Sequence, residues 1–125
     1  MKYLKIFEDF SGDGKLFKFT LDKDFEDKSA IRDWESVWTV FKKNDPSAEV
    51  MKTKKGSIMV SDPDQYDPNY NETGFMLFFK SEKSLEEVKS MILSAYKNMG
   101  IHLNTGRMIN SYSLQEVDEL PWQYK

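Results

Sequence analysis

Five consecutive apolar residues, FMLFF at positions 75–79, constrain the fold more than any other feature of this chain. The run has the length of a β-strand, and side chains alternate between the two faces of a strand. Phe75, Leu77 and Phe79 therefore point one way, and Met76 and Phe78 point the other. Burying one Phe or Met side chain contributes about 1.5–3 kcal/mol. A bare face would therefore cost an amount comparable to a small domain's net stability, so both faces of this strand need a cover.

One helix follows from the segment FEDKSAIRDWESVWTVFKKNDP. Its apolar side chains recur at spacings of three and four, which is the pattern of an amphipathic helix. Asp27 or Ser29 can cap its start, and Pro46 closes its end. The predicted buried face consists of Ile31, Trp34, Val37, Trp38 and Phe41.

A second helix follows from the segment SEKSLEEVKSMILSAYKNMG. Ser84 and Glu87 have the spacing of a capping box, in which each side chain binds the backbone N–H of the other residue. Gly100 supplies the left-handed residue that commonly ends a helix. The predicted buried face consists of Leu85, Val88, Met91, Ile92, Ala95 and Met99.

Short strands surround these helices. Phe17, Phe19 and Leu21 alternate with polar residues, AEVMKTKKGSIMVS resembles two strands about a turn near Lys55 and Gly56, and GRMINSYSLQEV predicts a last strand. Two helices on one face of a mostly antiparallel sheet would bury both helix faces. The sequence therefore predicts one α+β domain over residues 1–125, with the ferredoxin-like βαββαβ arrangement.

The second face of the sheet needs a cover of its own. The opening segment MKYLKIFEDF predicts a short amphipathic helix that could supply it, through Tyr3, Ile6, Phe7 and Phe10. A second copy of the chain or another protein could supply it instead, because contiguous exposed apolar surface usually marks an interaction site.

The polar stretch SDPDQYDPNYNETG, residues 61–74, is predicted to be a surface excursion between two strands. Asp67, Asn69 and Asn71 imitate the start of a calcium loop. Glu72 stands where that motif needs Gly, however, and Phe78 stands where it needs Glu. The pattern therefore does not predict a metal, and no cofactor is expected.

The same stretch is also a candidate recognition loop. Loops of about a dozen residues are often functional, and Tyr is common at recognition surfaces. The candidate protein-binding residues are Tyr66 and Tyr70 with the neighbouring Asp64 and Asp67, and also Met76 and Phe78 if these two are left uncovered.

No catalytic motif is legible. The chain has no Cys and one His, His102, which is expected to be structural. No nucleophile elbow and no phosphate-binding glycine loop is present. The carboxylates are scattered beside lysines, so a carboxylate site assembled in space stays open as an alternative. With no apolar run of about 18 residues and no signal-peptide pattern, we expect no membrane segment and a cytoplasmic protein.

TGFMLFF with the helix after it resembles the third strand and second helix of the RNA-recognition motif family, and LFKFTL resembles its first strand. The resemblance implies single-stranded RNA binding, with bases stacked on Phe17, Phe75 and Phe78. Phe17 shares a side with Phe19 and Leu21, however, and the net charge is −3. RNA binding is therefore the alternative function.

The opening MKYLKIFEDF also resembles the starts of short proteins from tailed bacteriophages. This resemblance implies a viral protein in the cytoplasm of a bacterium or of a phage-infected cell. The preferred function is a non-enzymatic module that binds another protein or itself.

Overall fold

The computed structural model describes residues 14–21, 30–67, 69, 72–105 and 111–125. In these ranges the fold is α+β, as predicted, with two α-helices and a five-stranded open sheet. The elements are β1 (Lys15–Leu21), α1 (Ala30–Asn44), β2 (Glu49–Val50), β3 (Val60–Asp67), β4 (Glu72–Ser81), α2 (Leu85–Asn98), β5 (Tyr112–Val117) and a 3-10 helix (Trp122–Tyr124).

All named strand pairs are antiparallel. On one side of β4 lies β1, which in turn pairs with β5. The other side of β4 is shared: β2 pairs with its end at Phe79 and Lys80, and β3 pairs with its beginning. The two segments predicted as strands around Lys55 and Gly56 therefore both pair with β4 rather than with each other.

Both helices bury most of the face that their periodicity predicts. Met99 is an exception, because it follows the last residue of α2 and is 38% exposed, and the side chain of Ile31 lies outside what the structure describes. Trp34, Val37 and Phe41 of α1 are buried, and α2 contributes Val88, Ile92, Ala95 and Tyr96. The capping box at the start of α2 is confirmed. The Glu87 backbone N–H donates to Ser84 Oγ, and the Ser84 backbone N–H donates to Glu87 Oε1, each at 3.2 Å. Gly100 has φ +84°, the left-handed conformation expected after this helix.

The apolar run in β4 is covered on both faces, as its alternation requires. Leu77 and Phe79 lie in the main core beneath the helices, together with Phe17, Phe19 and Leu21 of β1. The Phe17 and Phe79 rings stack with centroids 5.5 Å apart. Met76 and Phe78 lie in a second cluster on the opposite face, packed with Leu16 and Tyr124. Residues 118–125, named here the C-terminal strap, provide Tyr124 and Leu120 to this cluster. The predicted N-terminal helix and its residues Tyr3, Ile6, Phe7 and Phe10 lie outside the described residues.

The prediction of an irregular excursion over residues 61–74 was wrong for most of its length. The backbone continues as β3 to Asp67 and returns as β4 from Glu72. Ser61, Asp62 and Asp67 of this polar segment pair with β4, and a register shift between Asp62 and Asp67 interrupts the regular pairing. Pro63 is compatible with this position because β3 pairs on one side only.

Candidate functional site

The second face of the sheet carries a mixture of apolar, polar and charged side chains. The strand registers place β1, β4 and β5 side by side here, so that Lys18 lies between Phe78 and Gln115. Thr20 and Ser113 are joined by a 2.8 Å hydrogen bond between their hydroxyls. At the other side of β4, Val60 and Asp62 of β3 extend the same face.

The C-terminal strap crosses this face and is fixed by Tyr124. The Tyr124 ring meets Phe78 edge-on, with centroids 5.0 Å apart. Its hydroxyl donates a 2.8 Å hydrogen bond to the backbone oxygen of Ile58, in the connection between β2 and β3. Burial raises the pKa of Tyr124 to about 12. The contact leaves Met76 only 4% and Phe78 only 3% exposed.

Trp122 stands out of the strap with 80% of its surface exposed. It lies between two depressions, and it lines both of them. The first, named here the strand groove, encloses about 500 Å³ and is lined by Lys18, Asp62, Met76, Phe78, Gln115, Val117, Glu119, Leu120, Pro121, Trp122, Gln123 and Lys125. The second, named here the turn cleft, encloses about 360 Å³ and is lined by Thr53, Lys54, Lys55, Ser57, Val60, Trp122 and Gln123.

The turn cleft owes its shape to a β-turn at residues 53–56. The Gly56 N–H donates to the Thr53 carbonyl oxygen at 2.9 Å, and Gly56 has φ +87°, which favours glycine. The Ser57 N–H also donates to Thr53 Oγ1 at 3.0 Å. These bonds hold Lys54 and Lys55 at the two central positions of the turn, where both side chains are exposed beside Trp122.

The two depressions differ in charge. Among the described residues, the lining of the turn cleft includes two lysines and no carboxylate. The strand groove has Lys18 and Lys125 together with Asp62 and Glu119. Lys125 Nζ lies 3.4 Å from Glu119 Oε1, so that this pair is largely self-neutralising. The surface around Trp122 is therefore most basic on the side of the turn cleft.

Gln123 lines both depressions and has an unsatisfied polar atom. Its Oε1 is buried, and no donor of the described residues lies within hydrogen-bond distance. A buried acceptor without a donor is unfavourable by about 1–3 kcal/mol. A ligand that supplies an N–H at this point would remove that penalty.

Asp45 forms a second polar cluster, on another part of the surface. Ser47 Oγ donates to Asp45 Oδ1 at 2.8 Å, and Ser81 Oγ donates to Asp45 Oδ2 at 2.5 Å. Burial by itself would raise the pKa of Asp45, but these hydrogen bonds and the nearby charge of Lys83 hold it below its usual value. A carboxylate with a lowered pKa is a weak base. The cluster therefore joins the end of α1 to the end of β4 rather than activating a serine.

The candidate protein-binding residues predicted from the sequence fall into two groups, those that the structure shows to be covered and those whose side chains it does not describe. Met76 and Phe78 are covered by the strap, so the condition under which they were candidates, an uncovered second face, is not met. The strand β3 includes Asp64, Tyr66 and Asp67, but their side chains lie outside what the structure describes. Tyr70 lies wholly outside the described residues.

The three rings proposed to stack RNA bases do not share an exposed surface. Phe17 is fully buried in the main core, as its alternation with Lys18 implied. Phe75 is 36% exposed but belongs to the helix-facing side of β4. Phe78 lies on the opposite side, beneath Tyr124.

The described residues were also compared with a metal site and with a membrane span. These residues contain no group of three His, Asp or Glu side chains that could hold a metal ion. His102 is exposed on the connection after α2. Within the same ranges, neither helix is long and apolar enough to cross a bilayer.

Trp122 was missed by reasoning from the sequence. The signal in DELPWQYK was weak: a turn proline followed by two aromatic residues, either of which could have packed inward. Tyr124 does so and Trp122 does not.

No protein-family model, no curated protein and no solved structure matches this chain. The function of the chain is therefore inferred from Trp122 and the lysines around it.

Proposed function

We propose that this chain is a non-enzymatic module that binds another protein, and that its interface is the Trp122 surface, made of the turn cleft, the strand groove and the ring between them. The observation that carries this proposal is the 80% exposure of Trp122. Trp is the residue most enriched at the energetic centres of protein interfaces, where it fills pockets between partners. An exposed indole ring with a depression on each side offers such a centre.

The shifted pKa values of the described groups favour a binding role over a catalytic one, because each shifted group stabilises the fold. The three described groups with shifted values are Asp45, Glu87 and Tyr124. Each serves the fold: Asp45 joins α1 to β4, Glu87 completes a helix cap, and Tyr124 fixes the strap. None of them lies in the turn cleft or the strand groove. Asp45 and Glu87 do line one depression, near the end of α1 and the start of α2, and perturbed groups gathered in a cleft can mark an enzyme. Hydrogen bonds to serines lower both pKa values, however, and a carboxylate with a lowered pKa is a weak base.

We infer further that the arrangement is ferredoxin-like and that residues 1–10 form an amphipathic helix. The strand order β5, β1, β4, β3, with a helix after β1 and another after β4, supports the first inference. The short β2 is an addition to that pattern. The spacing of Tyr3, Ile6, Phe7 and Phe10 supports the second. The phage-like opening favours a partner in a bacterial cytoplasm.

The proposal is tested by capturing partners from a bacterial lysate with the tagged chain, with and without nuclease. We expect a protein that the native chain retains and the Trp122→Ala variant loses. Val40→Ala is the matched control, because Val40 is an apolar side chain 45% exposed on α1. Light scattering of the purified chain measures self-association separately.

Three results would contradict the proposal. One is capture that is equal for the native chain and Trp122→Ala. Another is a strictly monomeric chain that retains no protein in a Trp122-dependent way. Capture that nuclease abolishes would favour the RNA alternative.

A further inference from the structure

We propose that the Trp122 surface recognises an acidic peptide segment of its partner, with an apolar side chain on the Trp122 ring and a carboxylate on Lys54 and Lys55. This inference rests on the proposed function and specifies the chemistry of the partner.

Charge is the first argument. The chain has a net charge of −3, yet the described residues that line the turn cleft include two lysines and no acid. The strand groove on the other side of Trp122 is close to neutral, because Asp62 and Glu119 balance Lys18 and Lys125. A basic site on an acidic protein attracts acidic partners locally while the rest of the surface repels them, which favours one orientation.

The hydrogen-bonding capacity of Gln123 is the second argument. Its buried Oε1 has no donor among the described residues and lies between the two depressions. An extended peptide carries a backbone N–H at every residue except proline. A peptide that crosses Trp122 from one depression to the other would pass Gln123. Because Oε1 is buried in the free chain, the Gln123 side chain has to rotate to accept a peptide N–H.

The rigidity of the site is the third argument. Lys54 and Lys55 are held by the hydrogen-bonded turn at residues 53–56. Trp122 is held by the strap, whose Tyr124 hydroxyl binds Ile58 between that turn and β3. The backbones that carry both halves of the site are therefore fixed before a ligand arrives, which lowers the entropy lost on binding.

A peptide fits this surface better than a nucleic acid. Single strands are usually bound by several aromatic rings on which successive bases stack. On the described second face Trp122 is the one large exposed aromatic side chain. The described cations that line the two depressions are lysines, which contact a phosphate as point charges without the bidentate geometry of arginine.

The experiment uses three fluorescein-labelled probes at low salt. They are an acidic ten-residue peptide with six Glu and two central Leu, the same peptide with Lys in place of Glu, and deca-uridine. Fluorescence anisotropy measures their affinity for the full chain. We expect the acidic peptide to bind about tenfold or more tightly than the other two, and added salt to weaken it.

Variants locate the binding. Lys54→Glu with Lys55→Glu, and separately Trp122→Ala, should each weaken the acidic peptide about tenfold or more. Lys42→Glu with Lys43→Glu is the matched control. It makes the same change of charge at the exposed last turn of α1 and should change the affinity less than about twofold.

Equal binding of the acidic and basic peptides would overturn the inference, as would tighter binding of deca-uridine or equal losses in the two double-lysine variants. Lysate capture separates this result from the proposed function. If capture depends on Trp122 but not on Lys54 and Lys55, the protein-binding function stands and the acidic partner is wrong. If capture does not depend on Trp122, the proposed function itself fails.

Discussion

Asp45 is a buried carboxylate whose two oxygens are both engaged by serine hydroxyls. Ser81 is itself a relay, because its Oγ also accepts a 3.0 Å hydrogen bond from the Lys83 backbone N–H. Three chain segments therefore meet at one side chain: the end of α1, the end of β4 and the approach to α2. Because the side chain is only 5% exposed, water cannot easily replace these bonds.

We expect Asp45→Asn to destabilise the fold by about 1–3 kcal/mol at pH 7. One carboxylate oxygen becomes an NH₂ group, which cannot accept the hydrogen bond of the serine opposite it. Urea unfolding of the native chain and the variant measures the difference. An unchanged unfolding midpoint would show that the serines do not stabilise the fold through this carboxylate.

The same residue predicts a pH dependence. Because the folded state holds the pKa of Asp45 below its usual value, the carboxylate contributes stability that is fully present above the unfolded-state pKa of about 3.9. That contribution is lost as the pH falls through the lower, folded-state pKa. The free energy of unfolding should therefore fall more steeply below pH 4 for the native chain than for Asp45→Asn.

Tyr124→Phe isolates the hydrogen bond that fixes the strap. The variant keeps the ring against Phe78 and loses the bond to the Ile58 carbonyl, so we expect a loss of about 0.5–1.5 kcal/mol in urea unfolding. With its pKa raised to about 12, Tyr124 also contributes stability that is lost as the pH rises from about 10 to 12. The variant should lack that alkaline loss.

Tyr112→Phe is the control for this substitution. Tyr112 is half-buried on β5, and its hydroxyl has no hydrogen bond among the described residues. Removing the Tyr112 hydroxyl should change the free energy of unfolding by less than removing the Tyr124 hydroxyl does. Equal changes in the two variants would mean that the bond to Ile58 contributes nothing specific.

The strap acts as a structural element although it contains only one turn of 3-10 helix. Removing residues 120–125 should expose Met76 and Phe78, at a cost of about 1.5–3 kcal/mol for each side chain left in water. We expect a lower thermal midpoint and association that grows with concentration, measured by calorimetry and light scattering. Removing Lys125 alone should have little effect, since its contact is an exposed ion pair. A monomer of native stability after the longer deletion would contradict the assignment of this cover.

The helices and the central strands could be predicted because their signals are local. The spacing of Trp34 and Val37, or of Ser84 and Glu87, is set within one or two helical turns. The start of β3 was predicted, but its continuation beyond Ser61 was missed, because a polar segment can pair with a partner strand that its own composition does not reveal. The sequence predicted that the second face needs a cover, but it did not predict that the C-terminal strap provides it. Tyr124 reaches Ile58 across 66 positions of the chain.

The candidate site could not be predicted from the sequence, because it also depends on contacts between residues that are far apart in the chain. The turn near Lys55 and Gly56 was predicted from composition, and the aromatic tail was visible. That the two lie side by side depends on the route of the strap across the sheet. No periodicity distinguishes a tryptophan that packs inward from one that remains in solvent.

At the scale of the whole molecule, the main core and the second cluster share β1 and β4. Loss of either cover should weaken the strands that both clusters use, so we expect one cooperative unfolding transition. Urea curves followed by tryptophan fluorescence and by far-ultraviolet circular dichroism should coincide. Trp122→Phe is the control, because Trp34 and Trp38 lie in or against the main core and should report the same transition without Trp122. Two separate transitions would indicate a second independent unit.

The indole rings of Trp34 and Trp38 lie with their centroids 5.7 Å apart and their planes 26° apart. Aromatic rings held in a fixed, asymmetric environment give near-ultraviolet circular dichroism, so we expect such a band from the folded chain. The band depends on a fixed geometry between α1 side chains, so a compact but loosely packed state would lose it while keeping its far-ultraviolet spectrum. The molecule thus contains an intrinsic optical probe of core order, and every variant above can be checked with it before its binding is interpreted.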